Sequence, residues 1–135
     1  ITQTGVTGDT VADQIEAIND AITTQTGAIT LNSGWSIASG ANSGVRKAGD
    51  VAWLSAYFAN VSDLTVNTTY TIGTLPEDFI PSKAYTCPIY QKDQSSIRGI
   101  LTIEGKDTAA PGTIHFRSLD GSKYAIYTTV MFPLN

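Results

Sequence analysis

His115 and Arg117 stand two residues apart in Thr113-Ile114-His115-Phe116-Arg117, a segment in which polar and apolar residues alternate. In a strand that spacing puts both polar side chains on one face and turns Ile114 and Phe116 to the other. An imidazole beside a guanidinium on a solvent face suits a phosphate or a sugar hydroxyl, the guanidinium offering a two-pronged donor. A polar outer face that binds nothing is the competing reading. Saccharide sites also need flat apolar surface for the C–H side of the ring. Trp53 is a candidate for that surface, although its place in Val51–Phe58 favours a core or protomer contact. Tyr90 and Asp93 flank a turn, where binding loops commonly sit. Arg98 is too far along its strand from Glu104 to pair with it and is expected to meet a neighbouring strand or loop.

Catalytic constellations are missing. Asp50, Asp63, Glu77, Asp78, Asp107 and Asp120 fall in turn-forming stretches, a common use of acidic residues, so no carboxylate pair of the glycosidase kind is expected. One histidine and one cysteine make no zinc-ligand pattern, and no glycine-rich phosphate loop follows a strand. The chain is therefore expected not to be an enzyme and to need no cofactor or metal. Its net charge is −4 and its only adjacent basic pair is Arg46-Lys47, which argues against nucleic acid. No apolar run reaches the ~20 residues of a membrane span, and no membrane insertion is expected. Cys87 is the single cysteine, so it forms no disulfide within the chain and reads as a small buried apolar residue.

The 135 residues suffice for one domain with a core. Only 15% are charged, against a usual ~25%. Gly, Ser and Thr fill the difference, as suits an all-β domain with many turns. Short strands are expected at 28–31, 35–37, 45–47, 51–58, 65–72, 85–91, 97–104, 113–117 and 124–132. The stretch Ala48-Gly49-Asp50 should close a hairpin. Pro88 marks its strand as an edge strand or a bulged one. Leu75-Pro76-Glu77-Asp78-Phe79-Ile80-Pro81 is an ordered corner. The pattern points to an antiparallel β-sandwich or jelly roll.

Residues 10–24 differ. Val11, Ile15, Ile18 and Ile22 follow a 4-3-4 spacing, the narrow stripe of a coiled coil, and isoleucine at both core positions favours three strands. Thr10 is placed to cap the helix, with Asp13 three residues on. Asp13, Gln14, Glu16, Asn19 and Asp20 fall outside the stripe and are expected to be solvated. A helix lying over its own sheet is the alternative. Two Gly-x-x triplets at 5–10 weakly suggest a fibrous lead-in. The expected organisation is a linker and trimeric helical neck at 1–27 and a β-sandwich head at 28–135. The start at Ile1, without a signal-peptide pattern, suggests a C-terminal piece of a longer protein.

Three stretches carry a resemblance: Trp35-Ser36 followed by Val45-Arg46-Lys47-Ala48-Gly49-Asp50-Val51; the corner Leu75–Pro81, of the form Leu-Pro-x-x-Phe/Tyr-x-Pro; and the alternating strands that end soon after Phe132-Pro133. In this order, over residues 30–135, they resemble the head domains of receptor-binding proteins from siphophages of lactic-acid bacteria and related Gram-positive hosts. The resemblance implies a homotrimer of jelly-roll heads at the distal tail of a virion. Such heads join other tail or baseplate proteins and adhere to host cell-wall polysaccharide without cutting it. The strand Ile100–Glu104 departs from the pattern, lacking the His-x-Asp pair of some members, so the ligand does not carry over. A trimeric cap that binds nothing and a small bacterial surface lectin remain as alternatives.

Overall fold

The computed structural model of the chain describes residues 10–38, 44–90, 96–122 and 126–135. Residues 1–9 of the lead-in, the expected turn residues 39–43 and 92–95, Gln91 of the expected strand 85–91 and residues 124–125 of the expected last strand lie outside them. Helix α1 spans Val11–Ile22. Thr10 is extended, and its Oγ1 accepts the backbone N–H of Asp13 at 3.1 Å, an N-cap worth ~1 kcal/mol. The helix stops two residues short of the expected 24, because Thr23 turns extended and Gln25–Gly27 pairs as a strand.

Among the described residues ten strands form two antiparallel sheets of five. The back sheet holds β1 (Gln25–Gly27), β3 (Trp35–Ile37), β4 (Gly44–Ala48), β5 (Val51–Asn60) and β10 (Ile126–Pro133), in the order β1-β4-β5-β10 with β3 also on β5. The front sheet runs β2-β6-β9-β8-β7, from β2 (Thr30–Leu31), β6 (Thr69–Thr74), β7 (Tyr85–Tyr90), β8 (Ile97–Ile103) and β9 (Thr113–Ser118). The β4–β5 hairpin closes through Gly49-Asp50, with Gly49 at φ 57°, a conformation glycine adopts without a side-chain clash. Residues 65–68, expected as strand, instead form a turn around Asn67 at φ 63°; asparagine tolerates that region better than most residues. Strand β7 is an edge strand with a register shift at Ile89–Tyr90, as Pro88 demands.

Alternation dictates the core. Leu54 and Phe58 of β5, Val45 of β4 and Phe132 of β10 meet Ile72, Leu101, Ile103, Ile114 and Phe116 of the front sheet, and all are fully or almost fully buried. Each large apolar side chain so buried contributes ~1.5–3 kcal/mol. Trp35 meets Tyr70 edge-on at 6.4 Å between ring centres, and Tyr85 meets Phe132 at 6.2 Å, tying the sheets together.

The Leu75–Pro81 corner carries a short 3-10 turn at Glu77–Phe79 and buries Leu75, Phe79, Ile80 and Pro81. Lys47 fastens it, donating to the Asp78 carbonyl at 3.1 Å with its ammonium 5.1 Å from the Phe79 ring centre. Gly27 lies under the corner, where a Cβ would fall 2.7 Å from Phe79 and 2.8 Å from Pro76. Residues 25–27 pair with β4 in the back sheet, so β1 lies inside the segment assigned to the neck.

Two features of α1 bear on the stripe. Val11, Ile15 and Ile18 are 52%, 53% and 45% exposed, so these three residues of the stripe are not packed against the chain's own sheets. Gln14, expected to be solvated, is only 6% exposed. Along the helix, then, a polar side chain is covered while Val11, Ile15 and Ile18 stand open.

Candidate functional site

Strand register builds the site. Ile114 and Phe116 point into the core, so His115 and Arg117 occupy the outer face of the front sheet, as the alternation requires. On that face Thr71 of β6, His115 of β9, Thr102 of β8 and Thr86 of β7 stand opposite one another in a single row. At the usual strand spacing the row is roughly 14 Å wide. Thr71 Oγ1 lies 3.3 Å from His115 Nδ1, and the hydroxyls of Thr86 and Thr102 are 3.1 Å apart. Glu104, just beyond β8, brings Oε1 to 3.7 Å from His115 Nε2, with both side chains about a quarter exposed.

The adjacent row, Thr69–Arg117–Ile100–Pro88, mixes a cation with apolar surface. Arg117 and Pro88 are exposed and Ile100 half-buried. Tyr90 is exposed at the end of β7 on the same face. Glu104 beside the start of β9, then His115 and Arg117 on β9, thus set a carboxylate, an imidazole and a guanidinium in line, with threonine hydroxyls flanking His115 and the aliphatic surface of Ile100 and Pro88 next to Arg117. The arrangement can exchange hydrogen bonds with a polyhydroxylated ligand and cover its C–H side.

The remaining candidates separate from this face. Arg98 is 6% exposed beneath the 119–122 turn, donates through Nη2 to the Ser122 carbonyl at 2.9 Å, and has Nε 3.8 Å from Asp120 Oδ2. Burial lowers the pKa of its guanidinium, and the nearby Asp120 carboxylate partly offsets that effect. Arg98 meets a loop, as expected, but burial makes it a fastening of the fold rather than an open ligand contact. Its partner Asp120 is likewise more than a solvated turn residue. Asp107, also read as a solvated turn acid, pairs with Lys83 at 2.9 Å.

Trp53 lies on the outer face of the back sheet, opposite Met131 of β10 and Arg46 of β4. With Thr129, Val130 and Met131 it lines a shallow apolar groove of about 300 Å³. The sandwich separates that groove from His115, so the two cannot share one small ligand. Asp93 lies outside the described residues. Nothing in the single sequence singled out Glu104, Thr71, Thr102 or Thr86, because only cross-strand register brings them to His115.

Cys87 is half-buried on the inner side of β7, against the core, and burial pushes its thiol pKa up. Iodoacetamide at about pH 8 should therefore alkylate native Cys87 at least about threefold more slowly than glutathione, since only the thiolate reacts. Urea should abolish the difference. A native rate equal to that of glutathione would contradict the burial.

Among the described residues no group of three His, Cys, Asp or Glu side chains is placed to hold a metal ion, and no helix is long and apolar enough to cross a membrane. No protein-family model, curated protein or solved structure matches the chain.

Proposed function

We propose that this chain is the receptor-binding tip of a phage tail or baseplate. It acts as a homotrimer joined by a short coiled coil of α1, and its jelly-roll heads adhere to host cell-wall saccharide without cleaving it. The front-sheet outer face is the ligand surface. One observation carries the saccharide reading: imidazole, guanidinium, carboxylate and threonine hydroxyls share an open sheet face with exposed apolar surface. The exposed stripe of Val11, Ile15 and Ile18 supports the trimer, since apolar side chains at coiled-coil spacing gain stability only when copies cover one another. Attachment to other tail proteins and a place at the distal end of the virion follow from the resemblance of residues 30–135 to siphophage heads.

A non-binding structural cap is the second reading. The apolar groove at Trp53 and Met131 favours it, because such a surface suits a protein neighbour. Retention on cell walls purified from a panel of Gram-positive bacteria separates the two. Wild type should be retained on at least one wall. His115→Ala and Arg117→Ala should each weaken retention about tenfold at unchanged melting temperature, the loss expected for a polar or charge-assisted hydrogen bond. Equal retention of both variants removes this face from the site. No retention on any wall leaves the structural cap.

A further inference from the structure

We infer that the front-sheet face selects an uncharged, hydroxyl-rich glycan and disfavours the phosphate- or uronate-bearing polymers of Gram-positive walls. The inference rests on the saccharide reading above and narrows its ligand class.

Charge comes first. Of the cations that the sequence offered to this face, Arg98 is enclosed with Asp120 and the Ser122 carbonyl. Among the described residues this leaves Arg117 as the fixed cation of the face and Glu104, just past β8, as its fixed anion, with His115 between them. The two cancel, and the whole chain carries −4. A polyanion approaching this surface meets no net attraction.

Hydrogen-bond chemistry points the same way. A carboxylate only accepts, and Glu104 Oε1 sits 3.7 Å from the imidazole nitrogen a ligand would use. A phosphate or uronate oxygen brought to that nitrogen is also an acceptor and carries like charge, so it is repelled there. A sugar hydroxyl donates to the carboxylate and accepts from the imidazole or guanidinium. The threonine hydroxyls of the row, such as the 3.1 Å Thr86–Thr102 pair, both donate and accept, matching a neutral ring with hydroxyls of both kinds. Beside them Ile100, Pro88 and Tyr90 provide surface for the C–H side of the ring.

The test uses the full chain against two immobilised panels, one of neutral hexose and N-acetylhexosamine oligosaccharides, the other of phosphorylated or uronate-containing oligosaccharides. Binding is measured at about 20 mM and about 300 mM NaCl, which spans strong and weak screening. The expected result is binding within the neutral panel that changes less than about twofold with salt. Glu104→Gln should weaken it about fivefold or more through loss of a charged acceptor. The sign of the Glu104→Gln effect is decisive, because removing a negative charge would strengthen an anionic ligand. Binding confined to the anionic panel, with Glu104→Gln tightening it, overturns this inference and leaves the saccharide reading standing. Failure to bind either panel removes both.

Discussion

Gly99→Ala is expected to destabilise the head by about 3 kcal/mol or more, enough to lower its melting temperature by about 10 °C. Gly99 sits buried on β8 opposite Ser118, and the Phe116 ring lies over it. A Cβ there would fall 2.2 Å from Phe116 Cζ, 2.4 Å from Cε2 and 2.5 Å from the Arg117 carbonyl oxygen. None of these atoms can move cheaply. Phe116 is fully buried between the sheets, and the carbonyl belongs to the β9 backbone paired with β8. Overpacking in such a place forces strand separation or a strained ring. Far-UV circular dichroism melts of wild type and variant read the effect. Phe116→Leu in the same chain should return part of the loss, because the two sites share one volume. A variant that melts within about 2 °C of wild type would mean that the ring does not occupy this position.

The same pair shows what was legible in the sequence. A glycine inside Ile97–Glu104 marks a close approach of something to the backbone, and the alternation at 113–117 turns Phe116 inward. Neither observation says that the two meet, which depends on the register of β8 against β9. The local features followed from short-range chemistry: the Thr10 cap, the Gly49 turn, the Pro88 edge and the two-sided alternation of Val51–Phe58. Features that depend on a second segment did not. Arg98 could be placed against a loop, but its burial required knowing that the 119–122 turn folds over it. Gln14 has the composition of a solvated position and is buried all the same. His115 reads as a surface polar candidate and Trp53 as a core or protomer contact with sugar stacking as the alternative, and only the sandwich shows that they face opposite ways. Glu104 entered the site through a 3.7 Å contact across strands that no sequence spacing encodes.

Replacing Ile15 and Ile18 together by aspartate should convert a trimer in solution to monomers with the β-sandwich intact. The stripe on α1 is where the proposed assembly must hold. A 12-residue helix is marginal by itself in water, and the Thr10 cap offsets only ~1 kcal/mol of that deficit. Val11, Ile15 and Ile18 are each about half exposed, so covering each recovers about half of the ~1.5–3 kcal/mol that full burial of one such side chain provides. In the proposed trimer three copies of the stripe would multiply that gain, and burial of the seam would drive the association. Aspartate at both positions removes the gain and sets six carboxylates around a closed seam, where like charges repel strongly at low dielectric. The head keeps its own core, and Val11, Ile15 and Ile18 contribute nothing to it. Sedimentation equilibrium should therefore show three times the chain mass for wild type and one chain mass for the double variant. Strand content and melting of the sandwich should stay close to wild type. Wild type sedimenting as a stable monomer would remove the coiled coil and the tip reading built on it, and a double variant that stays trimeric would move the interface off the helix, with the Trp53–Met131 groove the next surface to mutate.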